Sequence, residues 1–215
     1  MNICTYSYQE YLHLVKSFHG KLVPGLIIGG FIVDLAIKYL PEGEYFNAIC
    51  ETYVCLPDAV QILTPCTIGN GWLSIVPFDK FAITLYEKGT GKGVRVYMDT
   101  KKIGNWPVVR DWYMKKNEQK QESLLSIIKE AGHGLLGIQN VQVEPEKFKR
   151  KKMSPVVVCP ICSEVYPMRH GDKCLNCQGN SPYDCIDSIK TFEQKMLVSK
   201  HDKAAFKTGV DLECY

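Results

Sequence analysis

Two cysteine pairs, Cys159-x-x-Cys162 and Cys174-x-x-Cys177, carry the most specific chemistry in the chain. A CxxC turn lets two thiolates reach one tetrahedral ion, and a second pair eleven residues on completes the shell. Four sulfurs leave no position for water, so the spacing predicts a structural zinc rather than a catalytic one. A thioredoxin-like site would use one CxxC beside a βαβ pattern, which this region lacks. An iron–sulfur cluster also takes thiolates, but the short hairpin spacing suits zinc. His170, between the pairs, reads as a loop histidine, because four cysteines already fill the shell. The tail that carries the pairs is roughly 60 residues, too few to bury much apolar surface, so metal binding should supply much of its folding energy. The amphipathic run Ser188–Leu197 predicts a helix after the second pair, which would make the module a treble clef.

A second set of reactive side chains is scattered through the first third: His19, Lys21, Cys50, Cys55 and Cys66. They fall at the ends of predicted elements. Residues 4–18 have apolar Tyr8, Tyr11, Leu12, Val15 and Phe18 at helical spacing. Leu22–Leu40 reads as a buried helix started by Pro24 and stopped by Pro41, with Gly25, Gly29 and Gly30 allowing another backbone close approach. Asp34 and Lys38 argue against a membrane span. Phe46–Cys50 predicts a strand, and Pro57–Leu63 a short helix with Asp58 in its first turn. Trp72–Val76, Phe81–Glu87 and Val94–Tyr97 predict strands, the last two joined by a hairpin loop at 89–93. Pro107 to about Ala131 reads as one long helix whose middle is polar, which means solvent exposure or a break. A last strand at Ile138–Val143 leads to a charged, proline-bounded linker.

Three ordered stretches resemble the FmdE-like family, named for a component of formylmethanofuran dehydrogenase. Phe18-His19-Gly20-Lys21-Leu22-Val23-Pro24-Gly25 is similar to its HGHxCPG signature. The run from Cys55 to Gly71 resembles its CxxDAIQxxTGCTxGxG segment, with Asp58 and Gln61 matching. Gly91-Lys92-Gly93-Val94-Arg95-Val96 is similar to its GKGVRV hairpin. The resemblance spans about residues 10–145 and implies an α+β core domain with a small C-terminal zinc-finger domain. The boundaries expected are 1–145 for the core, 146–155 for the linker and 156–215 for the finger. It also implies a homodimer, an accessory or metal-handling role beside subunits of a molybdenum or tungsten enzyme, and a core cleft containing His19, Lys21, Cys55 and Cys66. Two family ligands are replaced here, by Lys21 and Val23, so the expectation is a degenerate cleft with a second metal in doubt. An ammonium beside a cation is repulsive, so Lys21 is expected to bind an anion or to lower the pKa of Cys55 instead.

The remaining signals narrow the function classes. Apolar residues make up 46% and charged residues 23% of 215, which excludes disordered and collagenous chains. A net charge of +3, and 12 basic against 10 acidic residues from position 144 onward, argue against nucleic acid as a partner. The Gly89–Gly93 run lacks phosphate-loop spacing, and no Ser/His/Asp motif is visible. The first twenty residues show no secretory pattern, so the expectation is a cytoplasmic protein with reduced thiols. No catalytic residue is assigned. The rival expectations are an enzyme using the cleft's thiolate or a metal, and an interaction module acting through the finger.

Overall fold

The computed structural model describes residues 1–41, 46–116, 121–148 and 154–183. The chain divides between Lys151 and Lys152 into two compact units. The first is a mixed helix-and-sheet domain. It opens with a two-stranded hairpin, β1 (Asn2–Ile3) and β2 (Tyr6–Ser7). Helix α1 (Tyr8–His19) follows directly, so it starts four residues later than its periodicity suggests. Ser7 stops the hairpin and starts the helix through a capping box. Its hydroxyl accepts from the Glu10 amide, and the Glu10 carboxylate accepts from the Ser7 amide.

Helix α2 (Pro24–Tyr39) has Pro24 at its first position, where a missing N–H costs nothing. It is buried on nearly every side, because the sheet covers one face and helices cover the others. Its glycines admit side chains rather than another backbone. A Cβ on Gly29 would lie 2.8 Å from the Ala59 Cβ, and one on Gly30 would lie 2.5 Å from the Tyr11 ring. Tyr11 keeps its own polar end satisfied by donating to the Leu26 carbonyl at 2.7 Å. Asp34 is the polar exception in this helix. Its buried carboxylate accepts from the Cys4 amide and the Lys38 ammonium, each at 2.7 Å, and His133 Nε2 lies 2.7 Å away.

Strand β3 (Phe46–Cys50), helix α3 (Leu56–Leu63) and strand β4 (Leu73–Ile75) form a crossover that leaves β3 and β4 parallel. Strands β5 (Ala82–Glu87) and β6 (Lys92–Met98) form an antiparallel hairpin. A one-turn helix α4 (Thr100–Ile103) and α5 (Pro107–Tyr113) come next. The polar run after α5 resolves as a break: Lys115 has φ +53, and α6 (Gln121–Ala131) is a separate helix. Strand β7 (Leu136–Gln142) returns to the far edge, giving the order β4-β3-β5-β6-β7. Alternation sends Ala48, Cys50, Ile83, Leu85, Val94 and Val96 toward α2. On the other face, Glu51 is buried and takes a two-pronged pair from Arg95, at 2.5 and 2.8 Å.

The second unit is small. Its hairpin pairs β8 (Val156–Val158) with β9 (Val165–Pro167), and 3-10 turns at Met168–His170 and Asn176–Gln178 follow. The helix expected at Ser188–Leu197 lies outside the described residues. No helix among the described residues is long and apolar enough to cross a membrane.

Candidate metal centre and core cleft

In the small unit, Cys159 leaves β8 and Cys162 sits in the tight turn that precedes β9. The Ser163 amide donates back to the Cys159 carbonyl at 2.9 Å, and the Cys159 amide donates to the Glu164 carbonyl at 2.8 Å. Of the second pair, Cys177 lies in the 3-10 turn Asn176–Gln178, which Gly179 ends at φ +94, and Cys174 precedes that turn. Tyr166 packs under Cys159 and Cys174 and donates its hydroxyl to the Gly171 carbonyl at 2.7 Å. Gln178 ties the loop between the pairs, donating to the carbonyls of His170 and Lys173 at 2.7 and 2.6 Å.

The result is that the four sulfurs lie within 4.8 Å of one another. The Cys162 and Cys174 sulfurs are 3.7 Å apart. A tetrahedral ion with metal–sulfur arms of about 2.3 Å places its sulfurs about 3.8 Å apart, so this donor set fits one. The thiols are electrostatically unequal. Amides of Cys162 and Cys174 draw Cys159 down to about 6, whereas the neighbouring Cys174 thiol and burial push Cys177 up to about 12. Four thiolates so close repel one another, and a cation is what neutralises them. His170 is not among the donors that can share the ion.

The core cleft is built where the ends of two helices meet. His19 is the last residue of α1, and Gly20, at φ +86, ends that helix. Cys55 precedes α3 at φ +59, and the Leu56 amide donates to the Val54 carbonyl at 2.6 Å across it. This γ-turn is an uncommon, strained conformation for a residue with a Cβ. It seats the thiol against α2, where a Cβ on Gly25 would stand 2.8 Å from the sulfur and 3.5 Å from the Phe81 ring. Asp58, one turn into α3, places Oδ2 2.7 Å from Nδ1 of His19. Both side chains keep roughly a quarter to a third of their surface exposed, 26% and 31%.

The four expected cleft residues separate in this geometry. His19 and Cys55 both neighbour Asp58. Lys21 is exposed, and with Lys16, Gly20, Leu22 and Val23 it lines a depression of about 400 Å³. Cys66 is fully buried beyond the other end of α3, its thiol 3.6 Å from the Phe46 carbonyl. The expectation that Lys21 lowers the pKa of Cys55 is reversed. Burial, and then the Asp58 carboxylate, hold that thiol above its ordinary value. Burial raises Cys66 as well, partly offset by the Thr64 hydroxyl and Lys88. Among the described residues, only the four finger cysteines form a cluster of three or more His, Cys, Asp or Glu donors able to share an ion.

Much of the second family-like motif turns out to be scaffold. Asn70 accepts from the amides of Thr67 and Trp72 and donates to the Pro65 carbonyl, and Gln61 accepts from the Ile68 amide at 3.2 Å. The His19–Asp58 contact joins residues 39 apart, and sequence reasoning had no local signal for it.

Comparison with known proteins agrees with this division. A model described as FmdE, Molybdenum formylmethanofuran dehydrogenase operon, matches residues 18–143, and the FmdE treble clef zinc finger model matches 150–184. A solved structure, that of a tungsten formylmethanofuran dehydrogenase FmdE-like protein from Syntrophus aciditrophicus, is similar at 52% identity with a TM-score of 0.79. The match covers 85% of this chain and 97% of that one. A curated protein of Archaeoglobus fulgidus, named Probable S-adenosyl-L-methionine-binding protein, is 28% identical over 191 residues, covering 77% of this chain and 51% of its own. The chain thus spans about half the length of that relative. With the first model covering more than half the chain and the finger model following it in order, the chain belongs to the FmdE family and carries that family's treble clef finger.

Proposed function

We propose that this protein is an accessory, metal-handling member of the FmdE family, linked to molybdenum or tungsten enzymology, whose finger holds a structural zinc. The observation that carries the zinc reading is the four-sulfur cluster, which matches tetrahedral thiolate geometry and leaves no open coordination position. The finger therefore stabilises a fold and does not perform chemistry. In the core, His19 and Cys55 are the soft donors, and among the described residues no third donor completes a set with them. Two donors suit a site that exchanges a cation rather than one that keeps it. The operon association of the family supports the link to the dehydrogenase, and the similar tungsten FmdE-like protein supports it further. On this reading the chain works in the cytoplasm as a homodimer, with subunits of that enzyme as partners.

The test is a metal titration of the full chain with the subunits of a formylmethanofuran dehydrogenase present and absent. Wild type should hold about one tight zinc and take a second, weaker ion that His19→Ala abolishes. Stable association with the dehydrogenase subunits would support the accessory role. One ion only, unchanged by His19→Ala, together with no association, would remove it.

A further inference from the structure

The geometry points to Asp58 as the positioning residue that decides which nitrogen of His19 carries the lone pair. The inference rests on the reading of His19 as a working cleft residue and adds the device that prepares it. At the third position of α3, a carboxylate is expected to complement the helix terminus. Here its Oδ2 is committed instead to His19 Nδ1, at 2.7 Å and 39 residues away in sequence. Among the described residues no side chain caps α3, so the helix start and the histidine do not share one capping group.

The consequence follows from what each partner can offer. An ionised carboxylate has acceptors only, so a contact this short requires a proton on Nδ1. In the neutral ring Nε2 then carries the lone pair, and it is Nε2 that can ligate a cation or accept a proton. A free histidine side chain favours the opposite tautomer, so Asp58 would reverse the ring's own preference. The backbone on both sides is held. The Gly20 amide closes the end of α1 onto the Lys16 carbonyl, and Ala59 packs α3 against Gly29 of α2. The pair is therefore set by helix packing and not by a flexible loop.

Ring nitrogen-15 shifts of His19 in the full chain, with the finger's ion in place and no further metal added, test this at about pH 8, where an unperturbed imidazole is neutral. His19→Gln identifies the signal. Wild type should show a protonated Nδ1 and an unprotonated Nε2. Asp58→Ala should shift the ring toward the opposite tautomer, while Asp58→Asn, whose carbonyl oxygen can still accept from Nδ1–H, should retain much of the wild-type pattern. Unchanged circular dichroism in both variants separates this from a folding defect. A wild-type proton on Nε2, or no change in Asp58→Ala, overturns the assignment. Its failure is distinct from failure of the metal-handling reading: the wild-type tautomer pattern with no second ion bound in the titration would end the latter and leave Asp58's role standing.

Discussion

The finger and the core treat their cysteines in opposite ways. In the finger, four thiols crowd within 4.8 Å, Cys159 is drawn toward thiolate by backbone amides, and apolar burial is slight. In the core, Cys50, Cys55 and Cys66 are dispersed among apolar neighbours, and burial raises all three. One unit lacks a core and needs an ion; the other has a core, and burial there holds the thiols above their ordinary range. Cysteine abundance therefore means two different things within one chain, and spacing together with burial tells them apart.

The contrast is most directly broken at the finger. Cys159→Ser or Cys174→Ser should take bound metal from about one per chain to near none, because structural zinc binding contributes roughly 10–16 kcal/mol to such modules. Hydrogen exchange should then show the Val156–Pro167 hairpin open while the strands β5 and β6 stay protected. Loss of protection in both units together would join what the comparison separates. Acidification should act in the same direction, since the ligands must be deprotonated to bind.

The core should instead yield to changes in buried pairing and packing. Arg95→Leu leaves the buried Glu51 carboxylate without its two-pronged partner and should cost about 3 kcal/mol, readable as a lower urea midpoint with metal content unchanged. Gly25→Ala drives a methyl against the Cys55 sulfur and should cost about 1–3 kcal/mol. Adding Cys55→Ala should recover part of that loss, and a strictly additive double variant would place the strain elsewhere.

A reactivity measurement sharpens the comparison further. Cys55 should alkylate more slowly than an unfolded thiol at neutral pH, and Lys21→Ala should leave its rate unchanged. Fast labelling that depended on Lys21 would restore the activated-thiolate enzyme. The smallest effect belongs to the capping box. The Ser7 hydroxyl and amide hold the Glu10 carboxyl below its ordinary value, so its contribution is present above about pH 4.5 and is lost as pH falls through the lowered value. Glu10→Gln should lower the melting temperature slightly at pH 7, and by progressively less as pH falls through the lowered value.

What the sequence made legible were features with a local signature. The finger cysteines announce themselves by spacing, α2 by an apolar run bounded by prolines, and the β5–β6 hairpin by alternation around a glycine-rich turn. The start of α1 was legible too, through Ser7 and Glu10, but aromatic periodicity across residues 4–18 obscured it. The break after α5 depends on one left-handed residue, Lys115, within a run whose polarity is equally compatible with an exposed helix. The cleft was legible only as residue types. Asp58 with His19, Glu51 with Arg95 and Asp34 with His133 join distant positions, and no periodicity encodes such pairings. Cys66 shows the converse error, a motif cysteine that serves as a packed side chain.

The all-round burial of α2 has a price during synthesis. This helix leaves the ribosome before any of the strands β3 to β7 that must cover it, and those strands include pairings far apart along the chain. Until they close, the apolar surface of this sixteen-residue helix has only α1 and the N-terminal hairpin for shelter. Slow assembly of a sheet with distant pairings prolongs that interval. Recovery of the folded protein should consequently fall with chain concentration and with anything that delays β3, so that association of half-made chains, rather than the stability of the finished ones, limits the yield.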